Sequence, residues 1–386
     1  MAQRISGHEF LVRLQEQGAK RHQSFDRFYD EYLDRKARQQ GIPIFGQLEL
    51  TPLCNFDCRM CYAHLTKEQM GGRAGLTTEQ WKRLIRDAWE AGMIRVNLSG
   101  GECLSYPGFR ELYLYLHSLG CEIRVLTNGA LLNEEWVRFF TEHPPISIQI
   151  SLYGGDEDTY ERVTGHRMFA TVSANIRRVA EAGLPLLTAV TPSKYMREGI
   201  RDTIRAAKAF NVPYYISPNL INPREETGRA GQDHDLTIDE YVEIFRFRNE
   251  LEGEESIPVD PDSLPLPGGP YHECSACGLT CTAGMSSFDI GWDGAMYPCN
   301  TYRTIVGYPL KDGFLPCWEK LHRMAAGWPR VPECIDCPYE AVCTNCLVRK
   351  AEFAEPGKQP AALCEQTRYM VRHGVYRIPE CTPYDT

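Results

Sequence analysis

Six times between residues 46 and 252 a short strand-like run gives way to a helical one. The runs are "GQLELTP" (46–52), "IRVNLS" (94–99), "EIRVLT" (122–127), "ISIQISLY" (146–153), "PLLTAVT" (185–191) and "PYYISPN" (213–219). The first helical stretch, around 77–91, sets Trp81, Leu84, Ile85, Ala88 and Trp89 on one face, and the last falls around 237–252. Six βα units in succession imply a parallel sheet with helical crossovers, open or curled into part of a barrel. In either form ligands gather at the carboxyl ends of the strands.

The flanks read differently. Residues 1–45 form a charged helical extension ("HEFLVRLQEQ", "FDRFYDEYLDRKARQQ") with no strand pattern. Residues 253–272 are a Pro/Gly-rich linker, and 273–386 have short strand-like pieces, many turns and eleven cysteines. That last region is too irregular for a large apolar core, so metal clusters are expected to hold it together. With 386 residues and 43% hydrophobic content, the chain can still bury one large α/β core in the barrel region. A net charge of −9 without a basic stripe argues against nucleic acid as a partner. There is no signal-like N-terminus and no long apolar run, so the expectation is a cytoplasmic chain with no membrane contact.

Sixteen cysteines in such a chain point to thiolate–metal chemistry rather than disulfides. Three of them, in "CNFDCRMC" (54–61), follow the first strand directly. On spacing alone this is either a zinc site with a distant fourth ligand or an iron–sulfur site with one open position. Its place after the first strand favours the second, because that end of a barrel carries the chemistry.

C-x3-C-x2-C after the first strand of six βα units resembles the radical S-adenosylmethionine (SAM) superfamily, whose fold is a partial (β/α)6 barrel of the TIM type. The resemblance implies that Cys54, Cys58 and Cys61 bind a 4Fe-4S cluster whose free iron is chelated by SAM. It implies Met60 near the adenine, where the family usually has an aromatic residue. Gly100, Gly101 and Glu102 of "SGGE" would hold the methionine ammonium, and Ser151 the ribose. Glycines let backbones approach closely, and an acid pairs with a cation. "LTNG" (126–129) also closes the third strand as in the family, although a plain turn explains it equally well. Cys103, next to Glu102, has two readings: a thiol that donates a hydrogen atom to a substrate radical, or a small buried filler.

"CGLTCTAGMSSFDIGWDGAMYPC", then "CIDCPYEAVCTNC" and Cys364, resembles the SPASM domain, an extension that binds two auxiliary 4Fe-4S clusters. By that pattern Cys277, Cys281, Cys299 and Cys346 hold the first and Cys334, Cys337, Cys343 and Cys364 the second, making three clusters in all. Cys274 can compete with Cys277, and two residues rather than the usual three separate Cys343 from Cys346. Most SPASM proteins modify peptides, so the resemblance implies that a 5′-deoxyadenosyl radical alters a ribosomally made precursor peptide by thioether or carbon–carbon crosslinking or epimerisation. A flavodoxin- or ferredoxin-type donor would supply electrons, and a separate protein could bind the leader. Dehydrogenation or rearrangement of a small molecule is the competing reading. Sulfatase maturation is disfavoured because Asn300 stands where that branch has an aspartate base, and an amide cannot accept the proton.

Overall fold

The computed structural model describes residues 25–254 other than 218, 219, 221, 222, 231 and 233, then 281–329, 331–334, 337, 339, 343, 346 and 358–375. Cys274, Cys277, most of the expected linker and the first part of the N-terminal extension lie outside the described residues.

The longer elements are α1 (Phe25–Gln40), β1 (Phe45–Glu49), α2 (Thr78–Glu90), β2 (Arg95–Ser99), α3 (Phe109–Ser118), β3 (Glu122–Thr127), α4 (Glu134–Glu142), β4 (Ser147–Leu152), α5 (Glu157–Thr164), α6 (Phe169–Glu181), β5 (Leu186–Val190), α7 (Ile200–Ala209), β6 (Tyr214–Ile216) and α8 (Ile238–Glu252). Further on come β7 (Ser287–Ile290), β8 (Met296–Tyr297), α9 (Phe314–Ala326) and α10 (Ala361–Arg372). Helix starts follow local chemistry. Thr77 with Gln80, and Thr237 with Glu240, form capping boxes at α2 and α8, each satisfying otherwise orphaned N–H groups.

One sheet runs β6-β5-β4-β3-β2-β1-β7-β8. All pairings from β6 to β7 are parallel, as the βα rhythm requires, and only β8 is antiparallel to its neighbour. The architecture is therefore an α/β partial barrel, with β7 extending it beyond β1. The period-2 alternation of the strands separates two faces. Register sets Leu48 beside Leu98 and Ile290, Val125 beside Ile148, and Leu152 beside Val190. These residues merge with Trp81, Leu84 and Ile85 of α2, and their counterparts on the other helices, into one core. Each large side chain so buried contributes about 1.5–3 kcal/mol.

The opposite face carries Gln47, Glu49, Asn97, Arg124, Gln149, Ser151 and Asp289. The sheet curls around this polar face, so that the segment after β6 returns to β1, where Arg224 meets Glu49. At the amino ends of β1, β2 and β3 a cavity of about 350 Å³ is lined by Arg95, Asn97, Glu122 and Arg124. The cysteine loop leaves the other end, after Glu49. Among the described residues no helix is long and apolar enough to cross a membrane.

Candidate active site

The loop after β1 is held from three sides by backbone hydrogen bonds. Gly101 and Glu102 N–H groups donate to the carbonyls of Thr51 and Leu53 at 2.7 and 3.0 Å. Asp57 and Arg59 N–H groups donate to Thr164 and Val163, the last carbonyls of α5, at 3.1 and 3.0 Å. Leu65 N–H returns to Pro52. Two backbone N–H groups and one side-chain amide then address the sulfurs. Phe56 N–H lies 3.4 Å from Cys54 Sγ, His64 N–H 3.2 Å from Cys61 Sγ, and Asn128 Nδ2 3.6 Å from Cys54 Sγ. Tyr153 stands beside Cys58, and Ser151 beside Tyr153 in turn.

Burial pushes the Cys54 thiol up to about 12, with Glu102 and Cys61 adding to the rise. The Cys58 thiol is raised as well, first by burial and then by the negative charge that Cys61 and Cys54 would carry. Three neighbouring thiols, Cys58 buried and Cys54 and Cys61 half-buried, that would repel one another as anions, with N–H groups aimed at two of the sulfurs, form a donor set that a cationic iron–sulfur cluster would satisfy. The residues present therefore fit such a group. Among the described residues no three His, Cys, Asp or Glu side chains gather closely enough about one point to hold a single ion.

The glycines after β2 have a reason visible in the packing. A Cβ on Gly100 would sit 2.4 Å from the Thr51 carbonyl oxygen, and one on Gly101 2.3 Å from that of Leu53. Gly100 also has φ of 138°, which disfavours any side chain. The close approach is thus between two backbones of this chain, the strand-ending turn and the start of the cysteine loop. Glu102 is fully buried, and its carboxylate accepts from Leu104 N–H at 3.1 Å, Thr127 hydroxyl at 2.8 Å and Asn128 N–H at 2.8 Å. It ties the ends of β2 and β3 together under the cysteine loop. Cys103 is fully buried, and its thiol points to the Leu126 carbonyl at 3.1 Å, the geometry of a packed filler. Met60 is buried within the core. Ser151 ends β4 on the polar face and reaches the cysteine loop through Tyr153.

The C-terminal cysteines fall into two neighbourhoods. Cys281 feels the charges of Cys299 and Cys346, whereas Cys364 feels those of Cys343 and Cys337. Cys343 and Cys346, with two residues between them, face different partners. The Cys299 neighbourhood touches the first cysteine loop directly, since Asn300 Nδ2 donates to Tyr62 Oη at 2.9 Å. Tyr62 follows Cys61, and Asn300 follows Cys299.

Several site residues carry no strong sequence signal. Asn128, which bonds Cys54, and Tyr153, which stands beside Cys58, are ordinary polar residues after their strands; the "LTNG" turn is the only hint of the first. Arg224, Arg303, Glu49 and Asp289 are scattered over the chain, and only the curl of the sheet unites them.

Fold and site together define a partial-barrel enzyme whose three-cysteine loop sits at the carboxyl ends of its strands. Residues 48–207 match the radical SAM superfamily. The chain is 28% identical over 273 residues to the sporulation killing factor maturation protein SkfB of Bacillus subtilis (strain 168), spanning 70% of this chain and 63% of that protein. It is 25% identical over 322 residues to the AdoMet-dependent heme synthase of Methanosarcina barkeri (strain Fusaro / DSM 804), spanning 78% and 90%. Its fold is similar to that of Streptococcus suis SuiB bound to precursor peptide SuiA, with a TM-score of 0.63 at 16% identity, covering 88% of this chain and 81% of that one. Residues 48–207 are thus a radical SAM domain, of the kind that uses SAM and a 4Fe-4S cluster.

Proposed function

We propose that this enzyme matures a ribosomally made peptide by radical chemistry at a side chain or α carbon. The observation that carries the reading is the hydrogen bond from Asn300 to Tyr62, which seats a second cysteine neighbourhood beside the first at the mouth of the barrel. SkfB is named a maturation protein, and SuiB is solved with a precursor peptide. In this reading residues 46–252 are the barrel and 273–386 a SPASM domain. Cys54, Cys58 and Cys61 hold the SAM cluster. Cys281, Cys299 and Cys346 with Cys277, and Cys334, Cys337, Cys343 and Cys364, hold two auxiliary clusters. A redox protein of the flavodoxin or ferredoxin type supplies electrons in the cytoplasm, and a separate protein can present the leader.

When bound, the cluster and SAM supply reductive cleavage of SAM and hydrogen abstraction from the substrate. The chain's own residues do the rest. Phe56 and His64 N–H groups stabilise the thiolates of Cys54 and Cys61. Gly100 and Gly101 offer backbone groups without a side chain in the way. Ser151 and Tyr153 line the path from β4 to the cysteine loop. Phe56 packs edge-on against Tyr153 and Tyr160 and stacks on His166, a wall that keeps water from the loop. The Asn300 side chain is occupied as a donor to Tyr62 and cannot accept a proton, against a sulfatase-type role.

A small-molecule substrate is the second reading, favoured by the extent of the match to the heme synthase. The anaerobically reconstituted enzyme, given SAM and reductant, separates the two. Peptide fractions of its host should stimulate 5′-deoxyadenosine formation and one peptide should change mass. Stimulation by the metabolite fraction alone would instead establish the second reading.

A further inference from the structure

Arg224 lies eight residues beyond β6, yet it touches three other parts of the chain. Its guanidinium makes a two-pronged contact with the carboxylate of Glu49 at the end of β1, with Nη1 3.1 Å from Oε2 and Nη2 on Oε1. The same Nη2 donates to the Asn300 carbonyl at 2.8 Å. The guanidinium also covers the Tyr62 ring at 5.2 Å, and the Arg224 N–H donates to the Tyr62 carbonyl at 3.3 Å. The side chains of Arg224 and Glu49 are only 7% and 3% exposed. Arg303 completes the group, 3.3 Å from Glu49 and 3.5 Å from Asp289, with its guanidinium 3.4 Å above the Tyr297 ring.

Two acidic side chains and two guanidiniums therefore alternate in a buried cluster, in which burial and then the Glu49 charge push the Asp289 carboxyl well above its usual range. Such a cluster is a poor device for stability, because burying charges costs about as much as their attraction returns, and packed apolar residues would serve as well. What it offers is direction: planar guanidinium forks accept only a few arrangements of their partners. Three neighbouring contacts run the same way. Gln69 donates to the Thr227 carbonyl at 2.7 Å, Arg73 pairs with Glu226 at 3.5 Å, and Arg229 pairs with Asp57.

We propose that Arg224 is a positioning residue that clasps the Cys61 loop to the Cys299 loop across the barrel mouth, using Glu49 as its anchor. The proposal rests on the reading above in treating Cys299 as a ligand of an auxiliary cluster. The clasp fixes the separation of the two cysteine sets and closes, by side chains, the seam that no strand pairing among the described residues closes.

The test uses reconstituted holoenzyme of the wild type, Arg224→Met, Arg224→Lys and Tyr62→Phe. Hydrogen exchange should rise about tenfold in residues 54–65 and 299–303 together in Arg224→Met, with α2 unchanged. The electron paramagnetic resonance spectrum of the cluster at Cys54, Cys58 and Cys61 should change in Arg224→Met and return towards wild type in Arg224→Lys. Tyr62→Phe keeps the ring but loses the Asn300 contact, and should loosen 299–303 more than 54–65; it decides the matter if Arg224→Met does not fold. Wild-type exchange in both segments, or loosening of one alone in Arg224→Met, would overturn the clasp. Iron content of the same wild-type sample judges the auxiliary reading separately: about four irons instead of about twelve would defeat that reading while the exchange data still decide the clasp.

Discussion

Single atoms decide whether the cysteine loop can sit where it does. At Gly101 a methyl group would meet the Leu53 carbonyl at 2.3 Å, a backbone atom that cannot swing aside as a side chain could. Gly101→Ala should therefore cost about 1–3 kcal/mol in urea denaturation and lower the iron retained by the 54–61 loop. Unchanged stability and iron content would mean that the two backbones are not in register. The same scale explains what sequence reading gains and misses. The glycines of "SGGE" are visible as letters, but their partner is the segment from Thr51 to Leu53, and spacing along the chain does not reveal that contact. Glu102 is similar: the acid after two glycines is visible as a letter, but the Thr127 hydroxyl and Asn128 N–H that join Leu104 N–H around its carboxylate come from the end of another strand.

Among the elements, α5 has the most direct influence on the site, because its last two carbonyl groups receive Asp57 and Arg59 of the cysteine loop. Its start depends on Asp156, which caps the helix by accepting from the Thr159 N–H at 2.7 Å. Burial alone would raise the Asp156 carboxyl, but hydrogen bonds from the Thr159 N–H and hydroxyl hold it below the usual carboxylate range. A folded value below the unfolded one means that the cap contributes fully at neutral pH. That contribution fades as the pH falls below about 4 and through the folded value. Asp156→Ala should cost about 1 kcal/mol at pH 7 and less near pH 3, measured by denaturation at both pH values. An equal cost at the two would show that the carboxylate is not the capping species. Strands are the most legible elements. "EIRVLT" coincides with β3, and "IRVNLS" differs from β2 by one residue, because apolar alternation and βα order are local signals. The polar inner face was hidden within the same runs, since a βα reading attends to the apolar half of each strand.

Across the whole molecule, the C-terminal cysteines sort by space rather than by sequence. Cys343 and Cys346 are near neighbours in the chain, yet one faces Cys364 and the other Cys281. If each neighbourhood holds a cluster, Cys343→Ala and Cys346→Ala should each leave about eight of about twelve irons, and the double variant about four. A double variant no worse than either single would place both in one site. The pairing of β1 with β7 is likewise beyond local reading. It joins Phe45 to Ser287 through a register that no periodicity announces. That pairing also orders events during synthesis. When β1 leaves the ribosome, one of its edges stays bare until the chain has been made as far as β7, and bare edges of this kind recruit other strands. Completion of the sheet therefore waits on translation of the cysteine-rich region. A ribosome halted before residue 287 would hold a barrel with its first strand half paired, a natural client for chaperones that shield strand edges.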